Sequence, residues 1–95
     1  MERQEILAQL TAALQTIIKE RDLHPTRFEV ELSPYGTVEV YMTAPEFSGK
    51  TDRQRELMIL APLEKRLKRE VIMHISVFQL FAPEEDPEFE KLQPA

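Results

Sequence analysis

Apolar residues recur every three or four positions over the first twenty residues, with polar side chains between them. Ile6 and Leu10 begin this stripe, whose spacing is that of one face of an α-helix. The pattern predicts a helix over residues 2–21. We expect it to end before His24-Pro25, because the residue preceding a proline is disfavoured in helical backbone angles.

The hydrophobic period changes from about 3.6 to two after residue 26. Apolar and charged or polar side chains alternate over residues 27–32 and again over residues 37–42, which is typical of strands with one face in water. The residues between them, Ser33-Pro34-Tyr35-Gly36, match the position preferences of a type I turn. The sequence therefore predicts an antiparallel β-hairpin.

Helical signals return at Thr51, since Thr51-Asp52-Arg53-Gln54 fits a capping box and predicts a helix from about Asp52. Pro62 cannot donate a backbone hydrogen bond inside that helix. We therefore expect two helical pieces, with Pro62 in the first turn of the second. Residues 71–81 are mostly apolar and rich in β-branched and aromatic types, which predicts a strand buried on both faces, the interior or best-covered strand of the sheet.

The predicted order of elements is helix, strand, strand, helix, helix, strand. We expect an α/β (α+β) fold in which helices cover one face of a three-stranded mixed sheet, as a single domain over residues 1–83. Residues 84–95 combine five acidic side chains with two prolines. This composition predicts a flexible acidic tail.

The composition narrows the class of protein. A chain of 95 residues that is 42% apolar and 31% charged fits one globular domain with a modest core. It contains no cysteine, which excludes disulfides, thiolate nucleophiles and thiolate metal ligands from its own side chains. No stretch approaches the roughly 18 apolar residues of a membrane span, and no targeting segment is recognisable. We expect a cytoplasmic protein that does not bind membranes.

The formal net charge of −5 disfavours non-specific nucleic-acid binding, which needs a basic surface. Only residues 50–70 are net positive, with seven basic and four acidic side chains. This segment is a candidate surface for an anion or an acidic partner, and the alternative is the ordinary solvated face of a helix. The candidate residues are Lys50, Arg53, Arg55, Lys65, Arg66 and Arg69.

No catalytic motif is complete. Residues 48–51, Ser-Gly-Lys-Thr, match the end of a phosphate-binding P-loop, but Ala44 stands where that motif needs its first glycine. No nucleophile with an adjacent base can be argued from the sequence, so we expect a protein that is not an enzyme. His74 lies in the most apolar segment, where a single histidine is either a core residue or a ligand.

Three short motifs resemble the BolA family of small proteins. Phe47-Ser48-Gly49-Lys50-Thr51 is similar to the F-x-G-K-S loop of that family and is followed by Gln54-Arg55. Phe81-Ala82-Pro83-Glu84-Glu85 resembles the family's Y-T-P-E-E. The resemblance runs from about Phe28 to Glu85, and it places His74 on the family's characteristic histidine near the start of the last strand. It implies the same order of elements and a shape related to the type II KH fold.

The resemblance also implies a function, that of a partner protein for monothiol glutaredoxins. His74 then helps to ligate a shared [2Fe-2S] cluster whose thiolates come from glutaredoxin and glutathione, while the chain alone binds no cofactor. An imidazole ligand changes the potential of such a cluster relative to a thiolate.

Two positions differ from the family pattern, because Glu56 replaces a common histidine and residues 33–37 contain neither Cys nor His. Two alternatives therefore stay open. One is a KH-like nucleic-acid-binding or transcription-regulating protein. The other is an interaction module, with a partner the sequence does not identify, that has lost cluster ligation.

Overall fold

The computed structural model describes residues 2–86. Its helices are α1 (Arg3–Glu20), α2 (Asp52–Arg66) and α3 (Arg69–Ile72), and its strands are β1 (Arg27–Leu32), β2 (Val38–Thr43) and β3 (Ile75–Phe81). Two short 3₁₀ turns span Pro45–Phe47 and Pro83–Glu85. This order confirms the predicted αββααβ arrangement. None of the helices in this range is long and apolar enough to cross a membrane.

The three strands form one mixed sheet in the order β1-β2-β3. β1 and β2 are antiparallel, as the predicted hairpin requires, and β2 and β3 are parallel. The Gly36 N–H donates to the Ser33 carbonyl at 3.1 Å, which closes the predicted turn. Gly36 has a φ of 82°, an angle that glycine adopts without steric cost.

β3 is an edge strand, and the prediction that it lies in the interior is wrong. β2 is the strand with a neighbour on each side, and only Leu80 is buried along β3. The strand also begins at Ile75, later than predicted, because residues 69–72 form α3. Val71 packs into the core from this short helix with 3% of its surface exposed, and its N–H bonds the Lys68 carbonyl at 3.0 Å. Tertiary packing and local hydrogen bonding thus override the β-propensity of the segment.

The core lies between the helices and one face of the sheet. α1 buries the predicted apolar stripe, and the side chains of β2 alternate between fully buried and half-buried over most of the strand. This alternation means that the helices cover one sheet face, as predicted. The largest fully buried side chains are Phe47, Leu10, Leu14, Ile17, Met42, Ile59 and Leu63.

α2 begins at the predicted capping box. The Thr51 hydroxyl accepts from the Gln54 N–H at 3.2 Å, and the Gln54 side chain accepts from the Thr51 N–H at 2.9 Å. The predicted break at Pro62 is wrong, since α2 runs through it to Arg66. Ile59 and Leu63 are fully buried on either side of Pro62, and this packing holds the helix together across the missing hydrogen bond.

The predicted tail, residues 84–95, lies outside the described residues from position 87 onward. Its first residues contact the domain. Arg55 Nη2 donates to Glu85 Oε2 at 3.1 Å, and Arg27 Nη1 donates to Asp86 Oδ1 at 3.1 Å. Asp86, with 6% of its surface exposed, also accepts a hydrogen bond from the Thr43 hydroxyl. Residues 85 and 86 are therefore fixed against β1, β2 and α2.

Candidate functional site

His74 lies between α3 and β3, and its ring is held by the backbone of α3. Nδ1 lies 2.8 Å from the Glu70 carbonyl oxygen. A carbonyl can only accept, so Nδ1 carries the proton. In the neutral ring the lone pair is then on Nε2, which makes no hydrogen bond or ion pair within residues 2–86. This is the tautomer that leaves Nε2 free to bind a metal.

The hairpin turn lies at the same end of the sheet as His74. The Val38 N–H, at the start of β2, donates to the His74 carbonyl at 2.8 Å. The Thr37 hydroxyl lies 2.6 Å from the Ser33 hydroxyl and 2.8 Å from the Ser76 hydroxyl. This chain of hydroxyl groups connects the turn to the start of β3, so the turn is positioned directly beside the histidine.

Two large apolar side chains are exposed at this end of the molecule. Met73 precedes His74 and is 71% exposed, and Tyr35 stands on the hairpin turn and is 88% exposed. In residues 2–86 the remaining large apolar side chain with such exposure is Leu57, at 51%. We call Met73, His74 and residues 33–37 the His74 surface. Exposed apolar side chains around a polar centre are typical of a protein-binding surface.

The His74 surface can supply one good metal ligand. The turn beside His74 carries hydroxyls at Ser33 and Thr37, which are weaker ligands for iron than a thiolate or an imidazole. In the described part of the chain, no three His, Asp or Glu side chains are grouped so as to hold a metal ion. One imidazole fits a cluster whose other ligands come from a second molecule.

Comparison with known proteins adds no relative. The chain matches no protein-family model, no curated protein and no solved structure.

The basic residues predicted as an anion surface are not brought together as one patch. Lys50 and Arg53 lie at the start of α2, and Lys65 lies at its other end. These ends are about 20 Å apart for a helix of this length. Arg66 forms an ion pair with Glu20 of α1. Arg69 is exposed at the start of α3, so the exposed bases form two separate groups.

Arg55 is buried and does not belong to either group. Its side chain is 6% exposed, with Nε donating to the Lys50 carbonyl at 3.0 Å and Nη1 to the Leu80 carbonyl at 3.1 Å. The guanidinium also pairs with Glu85, and this hydrogen-bonded pair lowers the pKa of Glu85 to about 2. The helical spacing contained the signal for its burial, because Arg55 lies four and eight residues before the buried Ile59 and Leu63.

His24, the second histidine, lies at the opposite end of the sheet. Its backbone N–H donates to Glu46 Oε1 at 2.8 Å, and its Nδ1 lies 3.2 Å from Glu46 Oε2. Burial raises the pKa of Glu46, but the hydrogen bonds from the His24 backbone and ring outweigh it and give a net lowering. His24 is therefore engaged with a carboxylate and makes a suitable control for His74.

Proposed function

We propose that the chain is a BolA-like, non-enzymatic partner protein that binds a monothiol glutaredoxin through the His74 surface and contributes His74 to a shared [2Fe-2S] cluster. One observation supports this above the others. The Glu70 carbonyl oxygen lies 2.8 Å from Nδ1 of His74. It fixes the proton on Nδ1 and so leaves the Nε2 lone pair available. The motif resemblance independently selects the same histidine.

The hydrogen bond from the His74 ring to a backbone carbonyl resembles the one made by histidines that ligate metals in other proteins. Such a ligand generally donates its second ring N–H to a backbone carbonyl or a carboxylate, which fixes the ring and raises the basicity of the ligating nitrogen. The Glu70 carbonyl has this role here, and α3 holds it in place. An imidazole in place of one thiolate raises the reduction potential of a [2Fe-2S] cluster. The chain would therefore change the redox behaviour of a cluster that its partner carries.

The same surface can bind a partner protein without a cluster. Tyr35 and Met73 expose apolar area at the same end of the sheet as His74, and covering that area stabilises a complex whether or not iron is present. This favours a second candidate function, an interaction module that binds its partner through these side chains alone. The nucleic-acid alternative has weaker support, because the exposed bases form two separate groups and the net charge is −5.

Visible circular dichroism of a cluster-loaded monothiol glutaredoxin, recorded with and without this protein and with glutathione present, tests the cluster proposal. We expect the spectrum to change on mixing, because exchanging a ligand alters the charge-transfer bands. The change should be absent with His74→Ala and retained with His24→Ala. An unchanged spectrum with the unmodified protein would contradict cluster sharing.

A binding measurement separates the two candidates. Tyr35→Ala and Met73→Ala should each weaken binding of cluster-free glutaredoxin, whereas Leu57→Ala should not, although it removes a comparable exposed apolar side chain from α2. Binding that depends on Tyr35 and Met73, together with an unchanged cluster spectrum, would favour the interaction module.

A further inference from the structure

A groove runs between α2 and the outer edge of β3. It consists of two adjoining hollows of about 380 and 240 Å³ that share Glu56 and Phe78. Glu56 stands on the helical wall and Phe78 on the strand. The two hollows therefore form one continuous surface along most of the length of β3.

The strand side of the groove presents backbone groups that have no neighbouring strand within residues 2–86. The Ala44 N–H donates to the Phe81 carbonyl at 3.0 Å, and the parallel register pairs Tyr41 with Gln79 and Thr43 with Phe81. Residues 77, 79 and 81 thus direct their backbone groups toward β2, and residues 78 and 80 direct theirs outward. The Leu80 carbonyl confirms this direction, since it accepts from Arg55 on the groove side.

Three outward backbone groups of β3 are consequently placed for a further strand. They are the N–H and carbonyl of Phe78 and the N–H of Leu80. Within the described residues the sheet ends at β3. Such an edge is a template for main-chain pairing with an extended segment.

The groove has an apolar end and an acidic end. Near the start of β3 the lining is apolar, with Leu60, Ile72 and Ile75 around Phe78. Toward the end of β3 it carries Asp52, Glu56 and Glu85. Arg55 is the basic residue in that lining, and its guanidinium is already paired with Glu85. The acidic end therefore has an excess of negative charge.

We propose that this groove binds an extended peptide segment of a partner protein by β-strand addition to β3. The segment places an apolar side chain in the hollow beside Leu60 and basic side chains against Asp52 and Glu56. Alternate residues of a strand face the same side, at a rise of about 3.3 Å per residue. A six-residue segment with an apolar residue followed by two basic residues at alternate positions is one residue shorter than the seven-residue β3.

Charge complementarity selects this occupant over two others. The acidic lining would repel a phosphate backbone, because nucleic-acid binding needs basic contacts. A second copy of this chain carries the same net charge of −5 and would bring another acidic groove to the interface. A basic peptide gains from both the charge and the free strand edge.

Titration of the ¹⁵N-labelled protein with two capped peptides tests the proposal. Leu-Thr-Lys-Thr-Lys-Thr and Thr-Lys-Thr-Lys-Thr-Leu cover the two possible strand directions. We expect one of them to give saturable amide shifts and slower hydrogen exchange at Phe78 and Leu80. Replacing both lysines of that peptide with glutamate should abolish the shifts.

Glu56→Lys should weaken peptide binding about tenfold, because it exchanges an attraction for a repulsion at the centre of the groove. The matched control is Glu64→Lys, which makes the same charge change at an exposed position of α2 outside the groove and should bind normally. Thermal unfolding of both variants checks that the fold is retained.

Several results would overturn the proposal. They include saturable binding by neither peptide, amide shifts that lie away from β3, and equal binding of the glutamate peptide. Equal loss of affinity in Glu56→Lys and Glu64→Lys would reduce the effect to overall charge. Self-association that protects Phe78 and Leu80, or a single-stranded oligonucleotide that binds there in place of the peptides, would assign the groove to another occupant.

Discussion

Replacing Arg55 with alanine tests how α2, β3 and the segment that follows β3 are held together, because all three meet at the Arg55 guanidinium. Arg55 donates to the Lys50 carbonyl before α2, to the Leu80 carbonyl on β3, and to the Glu85 carboxylate beyond β3. Its side chain is 6% exposed. Alanine would leave both carbonyls without their donor and would remove the packing of the aliphatic stem.

The expected loss of stability is about 3 kcal/mol. Each hydrogen bond from a charged donor to a carbonyl contributes about 1 kcal/mol or more, and loss of the buried stem adds about 1 kcal/mol. This total is at the low end of the range of about 3–5 kcal/mol for removing one partner of a buried ion pair. The low value is reasonable because the Glu85 side chain is 45% exposed and regains water. For a domain of this size the midpoint of thermal unfolding should fall by about 12–24 °C.

Urea unfolding followed by far-ultraviolet circular dichroism measures this loss. Arg53→Ala is the matched control, since Arg53 lies on the same helix with an exposed side chain, and it should change the free energy of unfolding by less than about 0.5 kcal/mol. Arg55→Lys should also destabilise, because one ammonium group cannot reproduce the planar fork of the guanidinium. Equal stability of Arg55→Ala and Arg53→Ala would refute this account of Arg55.

Three further predictions concern acid stability, the core and the candidate ligand. The pairing with Arg55 lowers the pKa of Glu85 from 4.5 to about 2, so its contribution to stability is complete above pH 4.5 and is lost as the pH falls toward 2; in an acid titration Glu85→Gln should show a shallower loss over that interval. Phe47 is fully buried, and in urea unfolding Phe47→Ala should cost about 3–5 kcal/mol, against less than about 0.5 kcal/mol for Leu57→Ala. Nitrogen-detected NMR of the neutral imidazole should find His74 as the Nδ1–H tautomer, because the Glu70 carbonyl accepts that proton; the Nε2–H tautomer would contradict the proposed ligand geometry.

Local signals in the sequence predicted the parts of the fold that local interactions determine. The stripe of α1, the Ser33 to Gly36 turn and the Thr51 capping box each depend on residues close in the chain, and all three are confirmed. The order of elements is read from the same kind of local pattern, whereas the mixed sheet also needs the parallel pairing of β2 with β3, which joins residues far apart in the chain.

The errors arose where distant packing decides the outcome. Val71 belongs to a segment of high β-propensity, but it reaches the core from α3, so the strand begins only at Ile75. An apolar run also does not reveal whether a strand is central or at an edge of the sheet. Helices cover one face of β3, but within residues 2–86 no strand pairs with its outer backbone edge. Pro62 stays within α2 because Ile59 and Leu63 are buried around it.

The candidate site was only partly predictable. A motif resemblance selected His74, but its tautomer depends on the Glu70 carbonyl, which no residue pattern encodes. A count of charges along the chain places Arg55 with the exposed bases, because it takes no account of which face of the helix a residue lies on. The α2 and β3 groove was not predicted at all, since it depends on β3 being an edge strand.

We propose that His74 Nε2 ligates a cluster that a glutaredoxin shares with this protein. Pulsed electron paramagnetic resonance of the reduced mixed complex tests it most directly, with this chain labelled with ¹⁵N and the glutaredoxin and glutathione left unlabelled. We expect a ¹⁵N coupling from a directly coordinated nitrogen, lost in His74→Ala and kept in His24→Ala. A reduced cluster in the complex with no such ¹⁵N coupling would contradict the claim.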